Sequence, residues 1–237
     1  MKPLLNRLVH QILGFANLSA VRSHQTYESD RRLTIQRRNI DLIIDVGANK
    51  GQYASQLREL GYANAILSVE PIKEAYKALE KLMRTDPNWQ GINAAAGAVR
   101  SKAQFNISAD SVCSSLSPPS PTLLKAIPSA RIVDTVEVDV IRLDDVALPK
   151  HRTKMLKLDV QGYEKEALTG AQDMISSIEV LELELSLKPS YETAYTLASA
   201  LPDLTNLGFT VTSIGRGVTD ATSGQLIDMD VLLERVN

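Results

Sequence analysis

Ile40-Asp-Leu-Ile-Ile-Asp-Val-Gly-Ala-Asn-Lys-Gly-Gln-Tyr53 is the stretch whose reading decides the fold. Leu42, Ile43, Ile44 and Val46 form a short apolar run, as a strand buried on both faces would. Asp45 interrupts the run near its carboxyl end, and Gly47 and Gly51 bracket a tight turn. Gln52 to Leu60 then carries Tyr53, Gln56, Leu57 and Leu60 at helical spacing. A strand, a glycine turn and a helix start make a cradle, because the turn lets a ligand approach the backbone and the first helical N–H groups lack partners. The plain alternative is an ordinary strand–turn–helix in which a buried Asp45 caps the helix.

The glycines read G-x-x-x-G, so neither the dinucleotide fingerprint G-x-G-x-x-G nor the phosphate loop G-x-x-x-x-G-K-[ST] is present. An acid two residues before the first glycine of G-x-x-x-G is similar to the pattern of S-adenosylmethionine (SAM) methyltransferases. Asp45 would then serve the ligand's ammonium group, directly or through water, and Gly47 and Gly51 would leave room for its methionine part. Ala65-Ile-Leu-Ser-Val-Glu-Pro71 reads as a second strand that Pro71 stops. Glu70 follows Gly51 by 19 residues. An acid at the end of the second strand can accept hydrogen bonds from both ribose hydroxyls; a solvated strand-end acid is the bland reading.

Working outward, Lys73 to Arg84 is helical by pattern, and Gly91 to Gly97 reads as a third strand. The small residues Ala94 to Ala96 would let an adenine ring lie close, or would simply pack the core. Residues 101–141 break the alternation as an insertion: Ala103–Ile107 and Val133–Ile141 look like strands, and the Ser- and Pro-rich 108–121 between them reads as a substrate-side loop, with disorder as the alternative. The rhythm resumes with a strand at Lys154–Val160, a helix at Glu164–Ile175, a strand at Glu179–Leu185 and a helix at Glu192–Leu201. Phe209–Ile214 and Asp228–Glu234 close the sheet as an antiparallel pair. The expected class is therefore α/β with a mostly parallel sheet. Asp45, Glu70, Asp159 and Glu184 each end a strand, so four carboxylates are expected at one crevice.

The 237 residues carry 44% hydrophobic and 23% charged side chains with a formal net charge of −2. That suits one domain with a substantial core, residues 40–237, plus an extension at 1–39. The balance gives no basic field for a nucleic acid. Cys113 is the sole cysteine, which fits a reducing cytoplasm. No apolar run reaches the length of a membrane span. Residues 1–40 are locally +5 against −7 for the remainder, and Leu4, Leu5, Leu8, Val9, Ile12 and Leu13 share a helical face. Residues 1–15 are expected to pack on the domain or on a second copy, or to dock on another protein or the inner face of a membrane. Arg7, His10 and Gln11 break the apolar core that a signal peptide would need.

Lys157-Leu-Asp-Val-Gln-Gly-Tyr-Glu-Lys-Glu-Ala-Leu-Thr-Gly-Ala171 resembles the hallmark of the FkbM family of SAM-dependent methyltransferases, K-[IL]-D-x-[EQ]-G-x-E followed by Leu-x-Gly-Ala. Ile44–Tyr53, Val69-Glu-Pro71, Asn93-Ala-Ala, Ser114-Ser-Leu116, Leu143-Asp-Asp145 and Gly208-Phe209 follow the family in order, so the resemblance covers roughly residues 40–235. It implies a class I, Rossmann-like methyltransferase fold with SAM as cofactor, and O-methylation of sugar, glycolipid or polyketide hydroxyls. By the same resemblance Asp45, Gly47, Ala48, Asn49, Gly51 and Tyr53 would line the methionine site. Glu70 and Pro71 would hold the ribose, Asn93 and Ala94 would lie near the adenine, and Asp159 would sit beside the methyl group. Many members carry Glu where this chain has Gln161, which argues against an acid–base role at that position.

A sugar hydroxyl is a poor nucleophile, so its proton must be removed as the methyl is transferred. Asp159, Glu164 and Glu184 are the candidate carboxylates; for Glu164 the alternative is a helix-start charge favoured by the macrodipole. A divalent metal on Asp159 and neighbouring acids is a minor alternative. The histidines, His10, His24 and His151, lie outside the strand-end motifs. A SAM- or nucleotide-binding scaffold without catalysis, serving a glycan assembly complex, is the rival from another class.

Overall fold

The computed structural model describes residues 26–148 and 153–236. The apolar face at residues 4–13, the docking segment 1–15 and all three histidines lie outside the described residues. The elements run α1 (Tyr27–Arg37), β1 (Leu42–Val46), α2 (Gln52–Glu59), β2 (Ala65–Val69), α3 (Lys73–Met83), β3 (Trp89–Ile92), β4 (Ala95–Ala96), β5 (Ser101–Ser108), α4 (Pro121–Ala126), β6 (Ile132–Ile141), β7 (Lys154–Leu158), α5 (Glu164–Thr169), β8 (Ile178–Ser186), α6 (Leu197–Asn206), β9 (Phe209–Arg216) and β10 (Asp228–Arg235).

Seven strands form one sheet in the order β3-β2-β1-β7-β8-β10-β9. Neighbours pair in parallel from β3 to β8, and β10 is antiparallel to both β8 and β9. This is the expected class I methyltransferase sheet, closed by an antiparallel pair. Strand β1 lies between β2 and β7, with Val46 opposite Val69 on one side and Leu158 on the other. The strand order reverses there, which opens a crevice outside the carboxyl ends. Every residue of β1 and of β7 is buried, because helices cover both faces of the sheet. Ile44, Leu156 and Leu183 join the core on one face, and Ile43, Met155 and Val180 the core on the other.

Helix α1 is capped by the Thr26 side chain on the Ser29 N–H and is polar for most of its length. Carboxylates of β8 and β10 hold it. Arg31 pairs with Glu182, Arg37 and Arg38 pair with Glu234, and Arg38 also reaches Glu179. Three of the seven basic residues before residue 40 are thus paired with the domain's own acids.

Three elements differ from the sequence reading. The run expected as one strand at 91–97 divides at Asn93, whose Nδ2 donates to the carbonyls of Glu70 and Pro71; β4 then leaves the main sheet and pairs with β6 in a three-stranded sheet ordered β4-β6-β5. The helix expected at Glu192–Leu201 runs instead over Leu197–Asn206, because Thr193 is tied to Ser117 and Gly162 and Thr196 caps the first turn. The helix expected at Glu164–Ile175 stops at Thr169.

The Ser-rich 108–121 is ordered by its serines. Ser114 Oγ accepts the Ser108 N–H, Ser115 Oγ donates to the carbonyls of Val160 and Gln161, and Ser117 Oγ accepts the Thr193 N–H. Short hydroxyl side chains supply here the partners that a loop's backbone would otherwise seek in water.

Candidate functional site

A cavity of about 300 Å³ opens outside the carboxyl ends of β1, β2 and β7. Gly47, Ala48 and Asn49 from the loop after β1 form one wall, with Glu70, Pro71 and Ile72 beside them. Phe105, Val112 and Leu116 of the insertion form an apolar cover. Asp159, Val160, Gln161 and Tyr163 of the loop after β7 form an adjoining wall. At the far end lie Tyr53, Lys157, Glu182, Asp230 and Arg31.

Gly47 has φ of +82°, and a Cβ there would stand 1.9 Å from the Asp159 carbonyl oxygen. The two loops therefore touch at a point where only glycine fits. Asn49 also adopts a left-handed φ of 48°, its N–H donates to Glu70 Oε2 at 2.8 Å, and its own Oδ1 is buried without a partner. Glu70 Oε1 accepts the Ile72 N–H at 2.7 Å. Each Glu70 oxygen keeps a free lone pair beside the cavity. Burial pushes the Glu70 carboxyl up to about 7, although the two N–H groups oppose the shift.

Asp159 stands just beyond β7 with its side chain 34% exposed. Its Oδ1 accepts from Gln161 Nε2 at 2.8 Å, and its Oδ2 lies 3.2 Å from Lys157 Nζ. Gln161 Nε2 also donates to Glu184 Oε2 at 2.7 Å, and its Oε1 accepts from Tyr191 at 2.7 Å. The carboxylate acceptors Asp159 and Glu184 place the amide nitrogen on their side, and the Tyr191 hydroxyl, which also reaches the Cys113 carbonyl at 3.0 Å, meets the oxygen. Lys157 pairs with Asp45 at 3.3 Å as well as with Asp159. Burial opposes its charge, but Asp159, Asp45 and Glu182 outweigh burial and hold the ammonium strongly charged. The Tyr53 ring carries two cations, Arg31 at 4.7 Å and Lys157 at 5.0 Å, and its hydroxyl donates to Glu182 at 2.6 Å.

Of the sequence candidates, Gly47, Ala48, Asn49, Tyr53, Glu70, Pro71, Ala94 and Asp159 line the cavity. Five others do not. Asp45 has no exposed surface: it points down the sheet face to Lys157 and Ser68, so it cannot meet a ligand's ammonium directly. Gly51 faces Leu79, Leu82 and Trp89, so its missing side chain makes room for the core and not for methionine. Asn93 braces the carbonyls of Glu70 and Pro71. Glu164 is 2% exposed, and its Oε1 accepts the N–H groups of Val160 and Gly162. It clamps the loop that carries Asp159 and is not placed for proton transfer. Glu184 sits behind Gln161, and burial, reinforced by Asp159, pushes its carboxyl well above the ordinary range. For the metal alternative at Asp159, no group of three or more His, Cys, Asp or Glu is arranged as ligands among the described residues. Lys157 and Gln161 supply that carboxylate with donors instead.

Sequence reasoning missed Arg31, Lys157, Glu182 and Asp230. A signal existed for three of them. Lys157 and Asp159, Glu182 and Glu184, and Asp228 and Asp230 are charged pairs two residues apart on or just beyond buried strands, so each pair shares a sheet face. Arg31 had no such marker, because it belongs to a helix outside the motifs.

The sequence profile of the methyltransferase FkbM domain matches residues 45–211. No curated protein matches the sequence. Among solved structures, an rRNA methylase from Streptococcus thermophilus is similar with a TM-score of 0.49 at 9% identity, covering 92% of this chain and 100% of that one. Precorrin-6y C5,15-methyltransferase from Geobacter metallireducens GS-15 is similar at 0.45 and 11% identity, covering 92% and 94%. Burkholderia thailandensis 1,6-didemethyltoxoflavin-N1-methyltransferase, solved with S-adenosylhomocysteine, is similar at 0.47 and 8% identity, covering 86% and 76%. These are resemblances of chain path, whereas the profile spans well over half of this sequence and carries the residues 45–53, 69–71 and 157–171 that form the two loops and the Glu70 corner. The chain belongs to the FkbM family of SAM-dependent methyltransferases.

Proposed function

We propose that the protein transfers a methyl group from SAM to a hydroxyl of a sugar, glycolipid or polyketide-type acceptor, with Asp159 as the general base. The observation that carries this reading is the placement of Asp159 on the cavity wall, partly exposed and held by Lys157 and Gln161.

The cavity fits the cofactor in kind. Its volume lies at the low end of small-molecule pockets. Glu70 offers acceptors for the ribose hydroxyls, and Asn49 Oδ1 is a buried acceptor still lacking a donor. Ile72, Ala94, Phe105, Val112 and Leu116 give an apolar stretch suited to an adenine ring. When bound, SAM supplies a methyl group on a sulfonium that a nucleophile can displace. The protein's part is to keep water out, align the acceptor oxygen and take its proton. Lys157 and Gln161 hold both oxygens of Asp159 in place while each keeps a lone pair free.

A protein on the cytoplasmic side, with residues 1–15 docking on a membrane or partner, is compatible with this reading. Among the described residues no helix is long and apolar enough to cross a membrane. The test is incubation with methyl-labelled SAM and a panel of sugar, glycolipid and polyketide hydroxyl acceptors. S-adenosylhomocysteine and a labelled methyl ether are expected together. SAM binding with no turnover on any acceptor class would favour the scaffold reading.

A further inference from the structure

Asp45, which the cofactor motif offered as partner for an ammonium group, is fully buried and paired with Lys157. The far end of the cavity holds a different pair of opposite charges. Arg31 is 5% exposed and lines the cavity from α1. Its Nη1 donates to Glu182 at 3.1 Å and its Nη2 to Gln56 at 2.5 Å, but its Nε is buried with no partner. A buried guanidinium N–H without an acceptor is costly unless something else supplies one. Asp230, on β10 opposite Glu184, lines the same end. It makes no hydrogen bond or ion pair among the described residues, and it feels the charges of both Glu182 and Arg31.

A donor lacking an acceptor and a carboxylate lacking a donor, both lining one cavity, match a zwitterion. We infer that Arg31 and Asp230 form the subsite for the α-amino-acid end of SAM, Arg31 taking the carboxylate and Asp230 the ammonium. The inference rests on the SAM reading above and adds residues that the motif does not contain. Arg31 precedes the family-matched residues 45–211 and Asp230 follows them. Helix α1 therefore closes the cofactor site, and its arginine–carboxylate anchors on β8 and β10 serve binding as well as packing. Glu182 ties the two ends together: it orients Arg31 and accepts from Tyr53, whose ring carries the guanidinium.

The test deletes groups from the ligand as well as from the protein. Calorimetry on the full chain compares SAM with decarboxylated SAM, which keeps the sulfonium and the amine but lacks the carboxylate. Wild-type protein should bind decarboxylated SAM at least about tenfold more weakly. Arg31→Gln should weaken SAM about tenfold or more and leave decarboxylated SAM unchanged. Asp230→Asn, close in shape, should weaken both ligands alike, since both carry the ammonium. Equal wild-type affinities for the two ligands would overturn the Arg31 assignment without depending on any variant. Equal losses for both ligands in Arg31→Gln would also overturn it, and unchanged binding in Asp230→Asn would remove Asp230. Absence of SAM binding to the wild type would instead sink the cofactor reading itself.

Discussion

The loops after β1 and after β7 are built with the same device and left in opposite states. Each leaves a buried parallel strand beside the point where the strand order reverses. Each holds a non-glycine residue in the left-handed region, Asn49 at φ 48° and Gln161 at φ 57°. Each is pinned by a buried carboxylate, Glu70 accepting the Asn49 N–H of the first and Glu164 the Val160 and Gly162 N–H groups of the second. Burial pushes both of those carboxyls up to about 7. The difference lies in what is left over. Asn49 Oδ1 has no partner and Glu70 lines the cavity, whereas Gln161 is bonded on both ends and Glu164 is sealed away. One loop is left with open acceptors at the cavity, and the other is locked around the carboxylate proposed as the base. Polar satisfaction, more than sequence motif, separates binding from positioning.

The largest expected effect comes from the contact between the loops. Gly47→Ala adds a Cβ against the Asp159 carbonyl in a left-handed backbone. The left-handed conformation alone costs about 1–2 kcal/mol, and the clash adds to it. The variant should lose cooperative melting or fall far in Tm, and a Tm near wild type would show that the loops do not abut. Next, Asp159→Asn keeps the shape and removes the proposed base. Turnover should fall on the order of 100-fold or more, with much less change in SAM affinity. Glu184→Gln is the matched control, and if it is dead while Asp159→Asn is active, the base is Glu184.

Glu164→Ala sharpens the locked side of the comparison. It leaves the N–H groups of Val160 and Gly162 without their acceptor. Each buried unpaired group costs about 1–3 kcal/mol, so thermal denaturation should show a clear loss of stability while SAM affinity changes little. A stable variant with lost affinity would reverse the roles assigned to the two loops.

The smallest effect is one of pH. A carboxyl whose folded pKa is about 7, above its ordinary value, stabilises the fold most below about 4.5 and loses that contribution as pH rises through about 7. The ligand-free protein should therefore gain stability from Glu70 and Glu164 as pH falls from 7.5 to 5, and Glu164→Gln should flatten part of that slope. SAM binding should run the other way, because ribose hydroxyls favour the ionised Glu70. Affinity should weaken as pH drops below about 7. An affinity that is flat from pH 5.5 to 7.5 would disconnect Glu70 from the ligand.

Much of this arrangement was legible in advance. The apolar run Leu42–Val46 with its two glycines located β1 and its loop, and the Lys157–Ala171 hallmark located β7 and its loop. The run Val133–Ile141 located β6. What was not legible depends on direction and on tertiary partners. A strand residue's face cannot be told from one acid in an apolar run, so Asp45 was expected at the ligand and is found buried against Lys157. Tyr191, Ala194 and Tyr195 sit at helical spacing, yet Tyr191 and Ala194 pack against the serine-stitched insertion while Tyr195 joins the main core, and the expected helix begins only at Leu197. Arg31 reads as one of several basic residues until Glu182 on a strand 151 residues away gives it a place.

The open state of the first loop is the centre of the account, and calorimetry of SAM binding to Glu70→Ala tests it most directly. Two ribose hydroxyls would lose a charged acceptor, a change of about 1.5–3 kcal/mol. Affinity should fall roughly 10- to 150-fold in a variant that still melts cooperatively. Unchanged SAM affinity in a folded Glu70→Ala protein would contradict it.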